Sequence, residues 1–237
     1  MNRPDMGSNP PTSFESTLDD PGAQLHVLRV QVLGCMSSVL YHEISNILTV
    51  VSGLRQSLAA GLGDRLEGKI GTMIDDQVTR SSELSRSFLD LWATEKTAEP
   101  SSWLQCRADV GALLRLKGRG RQVQVFEAGD DDHPIDGDRA ALVRVSFAAC
   151  SLTLLDRVYR YRVGAHVELR SDIHSVPSGS KEGELLMRAT IKKPEGYPRG
   201  LPIPVEIAQK RARLDGASIE SELDDKTLLL RGRYPIG

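Results

Sequence analysis

Apolar residues between about Ala23 and Gly61 recur with helical spacing, interrupted only by single glycines that each cost roughly 1 kcal/mol relative to alanine. Leu33, Leu40, Ile47 and Leu54 return every seven residues, and Ser37, Ile44, Val51 and Leu58 form a second such series beside them. GLGDRLEG, residues 61–68, reads as a turn, after which Leu66, Ile70, Met73, Gln77, Leu84, Phe88 and Leu91 continue the pattern in a second long helix. The pair predicts an antiparallel hairpin over residues 23–95. One hairpin leaves an apolar face open, and the same hairpin from a second copy would close it into a four-helix bundle, so a homodimer is expected.

Beyond Pro100 the texture changes. Residues 122–127, 165–173, 184–193, 218–223 and 227–233 carry strand-like patterning, while 139–161 and 205–215 read as helices. The fold class expected is therefore α+β, a helical hairpin followed by an α/β sandwich over residues 103–237. TEKTAEPSS, residues 94–102, resembles a linker. Residues 1–22 hold almost nothing apolar amid Pro, Gly, Ser, Thr and Asp, a composition that cannot offset the entropy of ordering, and they read as a disordered tail.

Composition narrows the function classes. The chain is 40% apolar and 26% charged, ordinary for a globular protein. Thirty basic against thirty-two acidic residues give a net charge of -2, without the basic stripe of a nucleic-acid partner. No apolar run spans a bilayer, and the first twenty residues lack the apolar core of a signal peptide, so no membrane partner and a cytoplasmic location are expected. Cys35, Cys106 and Cys150 are scattered and read as reduced packing residues rather than as a disulfide or zinc framework.

Candidate chemistry concentrates at Tyr41-His42-Glu43-Ile44-Ser45-Asn46-Ile47-Leu48-Thr49. With Leu40, Ile44 and Ile47 in the seam, His42 falls on the far side of the helix and should face solvent. A neutral imidazole nitrogen is a nucleophile near pH 7. Glu43 could hold the other ring nitrogen or act as base, and Asn46, one turn on, could position a water or meet a partner's phosphoryl group.

HEISNIL, residues 42–48, resembles the H-E-[I/L]-x-N-P-L phosphoacceptor box of histidine kinases, with Ile47 where that family usually has Pro. The resemblance implies that His42 is the phosphoacceptor, that Glu43 is its acidic neighbour and that Asn46 is the polar residue four positions on. The missing Pro implies an unkinked helix. The second half resembles the family's ATP-binding domain through Asp109-Val110 with Leu113-Leu114, and through Gly137-Asp138 with Leu142 and Val145. Leu214-Asp215-Gly216-Ala217-Ser218-Ile219 resembles its L-x-G-G-x-[I/L] turn. Where the family places metal-holding Asn residues stand Ala148 and Leu152, and the adenine-reading and lid glycine motifs are replaced by the shortened run Lys192–Pro202. These departures imply a degenerate ATPase domain with no cofactor and no metal.

The function this implies is a histidine phosphotransferase of a phosphorelay, with response-regulator receiver domains as partners and His42 as the carrier. Three alternatives stand beside it: a regulator phosphatase in which Glu43 and Asn46 direct water, a divergent kinase, and a non-catalytic scaffold.

Overall fold

A computed structural model describes residues 20–60, 72, 75–76, 78–79, 81–82, 100–118, 123–159, 165–177, 179–190, 201–224 and 226–236. The tail up to residue 19, the turn at 61–68, the linker at 94–99 and the shortened run at 191–200 lie outside these. So does the second helix of the expected hairpin, apart from a few helical positions between 72 and 82.

Helix α1, Pro21–Ala59, starts where local chemistry tells it to. Asp20 Oδ2 accepts the Ala23 N–H at 2.7 Å, and Pro21, lacking an N–H, sits in the first turn where none is needed. The helix runs without interruption through Ile47. The short strand β1, Ser101–Ser102, leads directly into α2, Trp103–Gly118. Two oxygens cap α2: Ser102 Oγ takes the Gln105 N–H at 3.2 Å and Asp132 Oδ1 takes that of Leu104 at 3.1 Å. Strand β2, Val123–Ala128, and the short β3, Pro134–Ile135, precede α3, Gly137–Tyr159, whose first turn is capped by Asp136 through the Arg139 N–H at 2.9 Å.

Strands β4, Ala165–Ser175, and β5, Lys181–Thr190, form a long hairpin. Helix α4, Ile203–Leu214, follows, ended by Gly216 at φ 71° with the Ala217 N–H returned to the Ala212 carbonyl at 2.9 Å. Strands β6, Ser218–Leu223, and β7, Thr227–Pro235, complete the chain's sheet.

The main sheet has the order β2-β4-β5-β7-β6, parallel between β2 and β4 and antiparallel elsewhere, while β1 and β3 make a separate two-stranded ladder. Alternation puts Val167 and Leu169, Leu185, Met187 and Ala189, and Leu228 and Leu230 on one face. Helices α2, α3 and α4 cover that face, giving the expected α+β sandwich. The strand readings agree with β2, β4, β6 and β7 to within two residues at each end. Helix α2 was not read as an element, although Trp103, Cys106, Val110, Leu113 and Leu114 carry helical spacing and are buried along it.

Two close approaches set the packing. A Cβ on Gly183 in β5 would lie 2.6 Å from the Trp103 ring, so only glycine lets that indole lie on the strand. Trp103 is fully buried and tilts against Tyr234 with ring centres 6.1 Å apart.

Helix α3 is buried without a break from Ala140 to Leu155. It lies on the sheet, between α2 and α4, and the first half of α1 closes its outer side. A helix buried all round its circumference needs neighbours all round. Leu25, Leu28, Val32, Cys35 and Met36 of α1 therefore share one core with the sandwich, and Val39 and Leu40 pack at its margin.

Candidate functional site

The face of α1 that closes the core advances by four and three residues in turn: Leu28, Val32, Cys35, Val39. The same steps continue to His42, Asn46 and Thr49. Residues spaced this way share one side of a helix. His42 thus stands where the core-facing stripe passes the margin of the sandwich, and its ring is exposed. On another side of the same segment lie Tyr41, Ile44, Leu48 and Val51, each more than half exposed, at 75%, 54%, 61% and 55%. The imidazole is directed away from that stripe.

His42 and Asn46 meet: Asn46 Nδ2 lies 3.1 Å from His42 Nδ1. In this orientation the amide donates, Nδ1 accepts, and the ring proton of the neutral imidazole sits on Nε2. Turning the amide over presents its oxygen instead, which requires the proton on Nδ1 and frees the Nε2 lone pair. The amide orientation selects the tautomer. The ring partner is therefore found at Asn46, the residue read from sequence as a director of water or partner phosphate. The backbone of Glu43 is helical, but its side chain lies outside the described residues.

Two turns before His42, α1 is held to the sandwich by a polar cluster. Lys117, at the end of α2 and 3% exposed, places Nζ 2.8 Å from Asp156 Oδ1 on α3 and donates to the backbone carbonyl of Cys35. Gln31 donates to Thr153 Oγ1 at 3.2 Å and to Cys35 Sγ at 3.3 Å. Burial, then the nearby Asp156 charge, pushes the Cys35 thiol up to about 11, with Lys117 opposing. Sequence reasoning did not find this cluster, because Lys117 and Cys35 are 82 residues apart and nothing local marks the lysine.

Ala148 and Leu152 are both fully buried in α3. They bear only hydrocarbon, whereas Mg²⁺ requires oxygen ligands, so these positions do not fit a metal-held nucleotide. Among the described residues no group of three or more His, Cys, Asp and Glu side chains is placed to hold a metal ion. Among them, too, no helix is long and apolar enough to cross a membrane.

No family model and no curated protein matches the chain. Solved structures do. The histidine kinase domain of a blue-light activated histidine kinase from Erythrobacter litoralis is 16% identical with a TM-score of 0.47, over 71% of this chain and 86% of that one. A histidine kinase from Burkholderia phymatum is 14% identical with a TM-score of 0.43, over 87% and 98%. A bacterial phosphotransferase is 10% identical with a TM-score of 0.43, over 86% and 96%.

Proposed function

We propose that this chain is a dimeric histidine phosphotransferase of a phosphorelay, with His42 carrying a phosphoryl group between response-regulator aspartates and with no nucleotide of its own. The observation that carries the reading is the exposed His42 imidazole held at Nδ1 by Asn46, on a helix whose first half seals the sandwich. A donor outside the chain is supported by the hydrocarbon that α3 offers at Ala148 and Leu152, both fully buried.

In the forward step the ring nitrogen opposite the Asn46 contact attacks phosphorus of a receiver's aspartyl phosphate. An N–P bond forms, the acyl P–O bond breaks, and the electron pair leaves on the regulator's carboxylate. The reverse step returns the group to a second regulator. The attack needs the amide turned over from the orientation in the structure: with the Asn46 oxygen toward the ring, Nδ1 keeps its proton and Nε2 has the lone pair. Any Mg²⁺ the reaction uses belongs to the regulator. The exposed stripe of Tyr41, Ile44, Leu48 and Val51 is the surface for the second copy, since apolar residues repeated at this spacing are the seam of a helix pair.

Receiver domains charged with labelled phosphate from a small-molecule donor test the reading. Label should appear on the wild-type chain, be acid-labile, and be absent from His42→Ala. Loss of label as free phosphate at the wild-type rate in His42→Ala, but not in Asn46→Ala, makes the protein a water-directing phosphatase. Labelling from Mg-ATP alone makes it a kinase, and unchanged signalling in His42→Ala makes it a scaffold.

A further inference from the structure

We infer that Lys117 is a positioning residue for His42: its ammonium, held by Asp156, grips the Cys35 carbonyl and fixes where, and at what rotation, the second half of α1, its arm, leaves the core. This rests on His42 as the phosphoacceptor and adds how it is aimed.

Lysine is rarely buried unless paired, and Lys117 is 3% exposed with a partner that is 32% exposed. The lysine therefore spends its charge inside. A buried ion pair gives back in attraction little more than it loses in desolvation, so this one is poorly accounted for by stability. Its geometry points to a different role. The Cys35 carbonyl lies in mid-helix and already accepts its own helical N–H, and its second lone pair takes the lysine without breaking the helix.

The surrounding contacts of Leu25, Leu28, Val32 and Met36 are apolar and non-directional, and tolerate a small slide or roll of α1 over α3. A hydrogen bond tolerates neither, because it weakens steeply outside a narrow range of distance and angle. Gln31, bonded to Thr153 one turn earlier, pins the same side. His42 lies seven residues past Cys35 on that side, two turns or about 10 Å along a continuous helix. A rotation of α1 at the clasp is carried to the imidazole undiminished, since the helix between them has no break.

The test uses the full chain with spin labels on cysteines introduced at Arg55, on the arm, and Lys226, on the sandwich, both exposed. The three native thiols are buried, and excess unlabelled protein isolates distances within one chain. Wild-type protein should show a narrow distance distribution. Lys117→Met should broaden it while thermal unfolding shifts by only a few degrees, and should slow phosphotransfer at least tenfold. Lys117→Arg, which can still donate to both partners, should restore much of both. Asp156→Ala, at a position only 32% exposed, should reproduce the broadening should Lys117→Met fail to fold. A distribution as narrow as wild type in the folded lysine variant, or in Asp156→Ala, overturns the inference whatever the transfer rate does. Broadening in the variants together with no label on His42 even in wild type leaves the clasp standing and removes the phosphoacceptor reading.

Discussion

An imidazole whose δ nitrogen meets an amide four residues on has its tautomer set by which end of that amide it meets. Asn46→Asp can only accept, so it holds the Nδ1–H form and leaves Nε2 free; phosphotransfer in single-turnover assays should be kept within about threefold. Asn46→Leu removes the partner and should slow the step about tenfold, roughly 1.4 kcal/mol of barrier. Nitrogen chemical shifts of the ring should show the tautomer ratio moving with the substitution. In the sandwich, Gly183 matters for what it lacks. Its missing Cβ is the space the Trp103 ring occupies, and Gly183→Ala should lower unfolding stability by about 1–3 kcal/mol in urea titrations through overpacking. Combining it with Trp103→Leu should give a total smaller than the sum of the two single effects, because both act on one contact.

Helix α1 serves two interfaces with two parts of its length. Leu28 is fully buried against the sandwich, so Leu28→Ala should cost about 2–5 kcal/mol and leave the oligomeric state unchanged. Ile44 and Leu48 are exposed, so Ile44→Asp with Leu48→Asp should yield a folded monomer by light scattering with the sandwich's own packing intact. The same division explains what the sequence could and could not show. β6, at Ser218–Leu223, was readable to the residue because alternation is a local signal that survives wherever one face of a sheet is covered. α1 was readable as a helix, but the face that closes the core, with Leu28 and Cys35, and Val32 and Val39, each seven residues apart, has the same period as the series of Leu33, Leu40, Ile47 and Leu54. Periodicity reports that a face is apolar and is silent on what it meets. His42 and Asn46 were readable as neighbours on one helix face because four residues on a helix are close by geometry alone, whereas the ring contact was expected from Glu43. Lys117, Asp156 and Cys35 belong to three different helices, and only the tertiary fold brings them together.

For the whole molecule, one shared core means that its buried groups titrate as part of one unit. Burial is the first cause in each of the three thiols, and it pushes Cys35 and Cys106 from 9.0 up to about 11, and Cys150 up as well. The unfolded chain releases these protons first as pH rises past about 9, so the folded state is then the one holding more of them, and stability falls. Urea midpoints should decline between pH 8 and 10, and Cys150→Ala should flatten part of that decline; a midpoint that does not move would contradict the burial of these thiols. The core also has a consequence for how the protein comes to be made. Gln31 and Thr153 are 122 residues apart, and the stripe from Leu25 to Met36 packs on a helix that leaves the ribosome only after the whole hairpin region has emerged. The stripe cannot find its wall until α3 exists, and α3 cannot hide its outer side until the stripe returns to it. This is a long-range closure of the kind that slows folding. For most of its synthesis the nascent chain carries two uncovered apolar faces on one helix, and it is in that interval, rather than in the finished protein, that a chaperone has most to do.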